Sequence, residues 1–363
     1  MTLEPTPTAA ALRIAFDAPE PLTLGLEEEL MLLDAETLDL LPRATDVVEA
    51  CGDERFKLEM PAAQLELALP PVPSVPAAIA ALAAARRDLA AAAAPVGRLG
   101  AAGVHPFADP VGELNADERY AWTAAEYGEI ARRQLVCALQ VHVAVGGADR
   151  SLAVYNGLRP WLPLIAALAA NAPFHDGRDT GMASIRPKIS ETLPRQGVPP
   201  AFSGLDELAA AFEWAAAAGV APKPRMWWWE LRLHPIHGTI EARVPDQQST
   251  VGETVAVAEF VCALVRELAA RHDAGEPLPV HPTWRIAENR WSAARHGLDG
   301  YMADLDTGER RHTRERLAEL IELVGAEGAS SLAVENGAMR QREWAAEGGP
   351  EAVVRALAAR FLG

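Results

Sequence analysis

The sequence predicts an α+β fold, because two different periodicities occur along the chain. Several short segments alternate apolar and polar residues with the period of two that is typical of β-strands, and longer Ala- and Leu-rich segments have helical spacing. The two kinds of segment follow one another irregularly and without an internal repeat. We therefore expect a single α+β domain over residues 21–363, after a flexible leader rich in Pro, Thr and Ala over residues 1–20.

Composition excludes several classes of protein. Half of the 363 residues are hydrophobic and 23% are charged, as in a soluble globular protein, and the net charge of −17 argues against binding to nucleic acid or anionic membranes. No uncharged apolar run is long enough to span a membrane, and the N-terminus lacks the pattern of a signal peptide. The scattered Cys51, Cys137 and Cys262 form no disulfide framework, so we expect a reducing, cytoplasmic location.

Helical spacing is clear in seven segments. The third of them contains Pro160 and Pro163, which should kink or break it. The predicted helices cover residues 77–94, 118–134, 151–173, 205–219, 252–272, 312–325 and 350–363.

The strand-like segment at residues 22–33 contains three consecutive glutamates. Read as a strand, it places Glu27 and Glu29 on one polar face, whereas Glu28 lies on the opposite face with leucines. Alternation in further strand-like segments places more acidic, imidazole or guanidinium groups on polar faces. These groups are Glu59, Glu66, His142, Glu230, Arg232, Glu241 and Arg243.

For one strand, such a polar face indicates only a sheet with one solvated side. Taken together, the polar faces carry many carboxylates, which could not all stay ionised side by side without cations. Oxygen ligands favour Mg²⁺ or Mn²⁺, and no cysteine takes part to favour zinc. We therefore predict a metal site made by Glu27, Glu29, Glu59, Glu66, His142 and Glu241.

Basic residues accompany the predicted acidic face. Arg243 is two residues from Glu241 and shares its face, while Arg186 and Lys188 belong to a segment punctuated by Gly and Pro that we expect to be a loop. Metal-bound carboxylates beside arginines suit a bridged polyphosphate, although simple ion pairing within a sheet would give the same pattern. The chain lacks a P-loop, a dinucleotide-binding glycine motif and the kinase motifs, so a nucleotide site would be of another kind.

Motifs in a fixed order extend from about Leu22 to the last predicted helix. They read LGLEEEL, LEMPAAQLEL, GVHPF, ALQVHVAVG, RPWLPLIAALAANAPF, DTGMASIRP, ELRLHPIHGTIEARVPDQQ and ENRWSAARHGL. In this order and spacing the chain resembles the carboxylate–amine ligases of the glutamate–cysteine ligase type 2 family, within the glutamine synthetase-like superfamily. The resemblance implies a curved antiparallel sheet whose concave face is the active site, with helices packed on the other face.

The same resemblance implies an activity. Such ligases use ATP to convert a carboxylate into an acyl phosphate, which an amine then attacks to form an amide. The implied substrates are glutamate and an amine such as cysteine, with Mg²⁺ or Mn²⁺ and, as an assembly, a homodimer. Carried over by position, the metal ligands are the six residues predicted above, Arg243 binds phosphate, and Arg186 contacts phosphate or the substrate carboxylate. Lys188, in the same basic segment as Arg186, is expected to contribute to ATP binding.

Two alternatives remain open from the sequence. The same metal and ATP chemistry could serve another amine acceptor, or the chain could be a non-catalytic binding protein on a ligase scaffold. The complete set of acidic and basic site residues argues against the second alternative but does not identify the acceptor.

Overall fold

A long strand, β1, organises the protein. The structure is a computed structural model that describes residues 6–363, with only the backbone described at Arg119. Its strands are β1 (Leu24–Leu33), β2 (Phe56–Leu58), β3 (Gln64–Ala68), β4 (Arg98–Gly100), β5 (Leu139–Ala144), β6 (Phe174–His175), β7 (Arg178–Asp179), β8 (Leu231–His234), β9 (Thr239–Ala242), β10 (Tyr301–Ala303) and β11 (Arg310–His312).

Seven of these strands form the main sheet. Their order is β2-β3-β1-β5-β9-β8, with β4 paired to the end of β1, and every pairing is antiparallel. The remaining strands form two small hairpins, β6–β7 and β10–β11. The predicted antiparallel sheet is therefore confirmed, and the two hairpins were not predicted.

The described residues also form α-helices. They are α1 (Ala9–Asp17), α2 (Ala44–Cys51), α3 (Val75–Ala93), α4 (Glu118–Tyr127), α5 (Glu129–Arg132), α6 (Ala148–Leu158), α7 (Leu162–Leu168), α8 (Arg186–Ser190), α9 (Leu205–Ala217), α10 (Val251–Asp273), α11 (Thr283–His296), α12 (Thr313–Val324), α13 (Ser330–Val334) and α14 (Gly337–Arg360). All seven predicted helical segments contain helix. The predicted break near Pro160 is a 3₁₀ turn, Arg159–Trp161, and α14 is kinked at Gly348 and Gly349.

One face of the sheet is covered by helices. Leu24, Leu26, Leu30 and Leu32 of β1 are fully buried on that face, and α3, α6 and α10 pack against the sheet. Local signals define these helices: Ser74 caps the start of α3, and Thr250 with Glu253 forms a capping box at the start of α10. The hydrophobic core formed here includes side chains from Leu12 to Phe361.

The flexible leader predicted for residues 1–20 is wrong for its central part. Residues 9–17 form α1, which begins at the N-cap Thr8 and buries Leu12 and Phe16 completely. This helix packs against α6 and α9, because its two large apolar side chains lie one helical turn apart on the same face. Residues 1–5 lie outside the described part of the chain.

Helix α1 also packs against the turn between β8 and β9. Gly238 in that turn has a positive φ of 62°, and a Cβ atom there would lie 1.9 Å from the carbonyl oxygen of Ala15. Only glycine fits both the backbone conformation and this close approach. The leader helix is therefore packed against the hairpin that carries Glu241.

The segment that contains Arg186 and Lys188 is not a loop throughout, because both residues belong to the short helix α8, with Pro187 in its first turn. No helix among the described residues is long and apolar enough to cross a membrane.

Candidate active site

The three glutamates of β1 are divided between the two faces of the sheet, as predicted. Glu28 is fully buried on the helical side, where the Arg86 guanidinium of α3 binds both of its carboxylate oxygens at 2.6 and 2.8 Å. Gln247 and Thr254 also donate hydrogen bonds to Glu28. Glu27 and Glu29 instead line a cavity of about 320 Å³ on the other face.

Strand register brings the predicted ligands together. Glu29 lies opposite Glu66 in the β1–β3 pair, and His142 lies opposite Glu241 in the β5–β9 pair. His142 also lies opposite Gly25 of β1, and glycine has no side chain that would compete with His142 for space. Antiparallel pairing thus brings together residues that are 37 positions apart (Glu29 and Glu66) and 99 positions apart (His142 and Glu241), because directly opposed residues place their side chains on the same face.

Glu27, His142 and Glu241 form the most compact group. One ligand atom from each lies within 4.8 Å of the others, the only such trio of acidic, histidine or cysteine side chains within the described residues. His142 Nδ1 lies 3.0 Å from the Thr239 hydroxyl, whereas the buried Nε2 has no hydrogen-bond partner and lies 3.6 Å from Glu27. A buried nitrogen without a partner, facing two carboxylates, fits a divalent cation.

Two arginines hold Glu241 in its ionised form. Arg232 binds both carboxylate oxygens, at 2.6 and 2.9 Å, and Arg243 Nη1 donates a third hydrogen bond at 2.6 Å. Although burial opposes ionisation, these charges hold the pKa of Glu241 well below its usual range. At Glu27, burial is likewise outweighed by His142, which lowers the pKa of the carboxyl to about 2.

Glu29, Glu59 and Glu66 form a second acidic group in the same cavity. Burial and repulsion by Glu66 and Glu29 raise the pKa of Glu59 well above its ordinary value, and burial also raises that of Glu29. Glu66 has a cationic neighbour, Lys57, at 3.0 Å. The ligand atoms of this group are less closely gathered than those of Glu27, His142 and Glu241. Its unfavourable charge is nevertheless what a bound cation would relieve.

The predicted basic residues are only partly brought to the cavity. Arg243 and Arg186 line it, and Arg186 is fixed by Asp246 at 2.7 Å and by the carbonyl of Val244 at 2.6 Å. Lys188 is not part of the lining. It pairs with Glu191 at 2.6 Å and lies over the Trp291 ring, because α8 directs residues two apart to different sides. The structure therefore does not bring Lys188 to the predicted ATP site.

Some cavity residues received no role from the sequence. Gln140 donates to Glu29 at 2.8 Å and accepts from Arg243, so it joins the second acidic group to the arginine. In the tryptophan run, Trp227 is buried in the core and both Trp228 and Trp229 pack against it, but of the three only Trp228 lines the cavity. Register could have identified Gln140, which lies opposite Glu27, but no local signal separates Trp228 from its neighbours.

Residues of other sequence motifs near the site have structural partners. Arg290 of the ENRWSAARHG motif forms a buried ion pair with Glu230 at 2.7 Å. His105 of GVHPF lies 2.9 Å from the Leu38 carbonyl through Nε2, and burial lowers its pKa to about 4. His234 stacks on His237 with ring centroids 4.3 Å apart, beside His142. Neither stacked ring belongs to the compact ligand group.

Comparison with known sequences identifies the family. A family model described as "Glutamate-cysteine ligase family 2 (GCS2)" matches residues 23–347. A protein of Rubrobacter xylanophilus named "Putative glutamate--cysteine ligase 2-3" is 36% identical over 317 residues, covering 85% of this chain and 84% of the relative. One of Jannaschia sp., named "Putative glutamate--cysteine ligase 2", is 30% identical over 94% of this chain and 96% of the relative.

Solved structures agree on the fold. Glutamate–cysteine ligase of Francisella tularensis, solved in complex with AMP, superposes with a TM-score of 0.70 at 13% identity, over 95% of this chain and 89% of that one. A bifunctional glutathione synthetase of Pasteurella multocida gives a TM-score of 0.60 at 14% identity, over 97% of this chain and 52% of that one. The chain therefore belongs to glutamate–cysteine ligase family 2 and is a carboxylate–amine ligase with a glutamine synthetase-like fold.

Proposed function

We propose that the protein is an ATP-dependent ligase that joins the side-chain carboxylate of L-glutamate to the amine of L-cysteine through an acyl phosphate. The observation that carries this proposal is the group of Glu27, His142 and Glu241, with its buried Nε2 left without a partner. Membership of the ligase family supports the choice of reaction, and the names of the relatives support the choice of substrates.

The acidic residues would hold the metal ions. Glu27, His142 and Glu241 provide one set of ligands, and Glu29, Glu59 and Glu66 provide a second. When bound, Mg²⁺ or Mn²⁺ would neutralise charge on the ATP phosphates and make the terminal phosphoryl group more electrophilic. Glu241 is kept ionised for this role by Arg232 and Arg243.

The arginines would bind the transferred phosphoryl group. Both side-chain hydrogen bonds of Arg243 use Nη1, and those of Arg186 use Nε and Nη2. Among the described residues, Arg243 Nη2 and Arg186 Nη1 therefore have no hydrogen-bond partner, and both arginines line the cavity. Guanidinium nitrogens at a phosphoryl group stabilise charge that develops in the transition state.

The proposed chemistry needs no nucleophilic side chain. An oxygen of the substrate carboxylate attacks the terminal phosphorus of ATP and ADP leaves. The amine then attacks the acyl carbon, loses a proton, and phosphate leaves with the oxygen that it received. Positioning and electrostatic stabilisation therefore provide the catalysis.

Because the three cysteines are unpaired, a reducing location fits, and we propose the cytoplasm. A homodimer stays a prediction.

The test is ADP release by the purified protein with Mg²⁺, ATP, glutamate and a panel of amines. We expect cysteine to increase ADP release, and Glu27→Gln to abolish the increase. Glu36→Gln is the matched control, because Glu36 is an exposed acid in the turn after the same strand. If another amine increases ADP release more than cysteine does, that amine is the acceptor. If no amine increases ADP release, the ligase proposal is refuted.

A further inference from the structure

One arginine of the cavity lining has no acidic partner among the described residues. Of the four arginines that are described in its lining, Arg186 is bound by Asp246, and Arg232 and Arg243 are bound by Glu241. The fourth, Arg225, is exposed, and the described residues offer its guanidinium no ion pair or hydrogen bond. In a chain of net charge −17, a cation at the wall of an acidic cavity is available to an anionic ligand.

The backbone beneath Arg225 is held firmly. Arg225 belongs to the 3₁₀ turn Pro224–Met226, and two successive carbonyls of this turn accept hydrogen bonds from arginines. Arg232 Nη1 donates to the Arg225 carbonyl at 3.2 Å, and Arg195 Nε donates to the Met226 carbonyl at 3.1 Å. A charged side chain on a fixed turn loses less conformational freedom on binding than one on a mobile loop.

The same turn is connected to the predicted metal site and to the cavity wall. Arg232, which holds the Arg225 carbonyl, also binds Glu241 of the predicted metal site. Three residues after Arg225, Trp228 lines the cavity wall with Arg195 over its ring at 5.6 Å. Arg225 is thus placed at a fixed position relative to the metal site, but it forms no bond with any metal ligand.

We propose that Arg225 is a specificity-determining residue that binds an anionic group, a carboxylate or a phosphate, of a ligand whose other end lies at the metal site. The proposal deepens the proposed function and rests on it. Two ligands of that reaction have their reacting group at the proposed metal site and carry a further anionic group: glutamate has an α-carboxylate, and the nucleotide has phosphates. Arginine suits either, because its planar guanidinium can bind two oxygens at once.

The experiment is titration calorimetry on the full chain with Mg²⁺ present, using ADP and L-glutamate as separate probes. Arg225→Gln should weaken one of the two ligands by roughly tenfold or more and leave the other unchanged. Arg225→Lys should recover part of the loss, because it restores the charge without the paired donors. Arg87→Gln is the matched control, since Arg87 is an exposed arginine on α3, the helix packed behind the sheet.

Each outcome has one meaning. Selective loss of ADP affinity assigns Arg225 to a phosphate, and selective loss of glutamate affinity assigns it to the carboxylate. An equal loss for both ligands, as overall charge would cause, or no loss beyond that of Arg87→Gln, overturns the proposal while the proposed function stands. If the wild-type protein binds neither probe, the proposed function and this proposal both fail.

Discussion

Replacing Glu28 with glutamine should destabilise the protein strongly, because the substitution leaves a buried guanidinium without its counter-charge. Glu28 and Arg86 are both fully buried, and two hydrogen bonds of 2.6 and 2.8 Å join them. Removing one partner of a buried ion pair costs about 3–5 kcal/mol. With an unfolding entropy of about 2.1 cal/mol/K per residue, this corresponds to a fall in Tm of roughly 4–7 °C for 363 residues.

The assay is thermal unfolding of Glu28→Gln and Glu29→Gln, measured together with Mg²⁺-dependent ADP release. Glu29→Gln should lose activity with a much smaller change in Tm, because burial already disfavours its charge and raises its pKa. The double variant Glu28→Gln/Arg86→Gln should be more stable than the sum of the single effects predicts. A wild-type Tm for Glu28→Gln, or additive effects in the double variant, would refute the assignment of Glu28 to the buried pair.

Four further predictions concern other parts of the structure. His142→Phe should weaken Mn²⁺ binding at least tenfold by calorimetry, because the unpartnered Nε2 is lost; unchanged affinity would exclude His142 as a ligand. Lys188→Gln should leave the KM for ATP unchanged, since Lys188 lies outside the cavity lining; a clear rise would restore its predicted role. Gly238→Ala should lower Tm, because the added methyl group meets the Ala15 carbonyl; equal Tm would contradict the packing of α1. Burial lowers the pKa of His105 to about 4, so the unfolded chain, with an ordinary value near 6.5, binds more protons between these values. The contribution of His105 to the free energy of unfolding is therefore fully present above pH 6.5, and this free energy should fall by about 2 kcal/mol between pH 7 and pH 5. In urea titrations, His105→Asn should show a smaller fall over the same pH range.

Strand periodicity predicted the most important division in the site. Residues two apart share a face, so Glu27 and Glu29 could be separated from Glu28 without any structure. The same argument placed His142 and Glu241 on polar faces, but it could not show that they are direct neighbours. That result depends on the register between β5 and β9, which joins segments about 100 residues apart.

Where the sequence misplaced or missed a residue, the position of that residue depends on contacts that exist only in the folded structure. The N-terminal segment looked disordered by composition, yet Leu12 and Phe16 become buried once α6 and α9 provide a surface. Lys188 was grouped with Arg186 by proximity in sequence, but a helical turn directs their side chains to different partners. Arg225 carried no local signal, because its significance depends on which other arginines are already paired.

The most direct test of the account is the fate of the carboxylate oxygen during turnover. Glutamate labelled with ¹⁸O in its side-chain carboxylate is incubated with the wild-type protein, Mg²⁺, ATP and the preferred amine, and the released phosphate is analysed by mass spectrometry. An acyl-phosphate route transfers one labelled oxygen from each reacting carboxylate to phosphate. Phosphate that is released in step with amide formation and carries no label would contradict it.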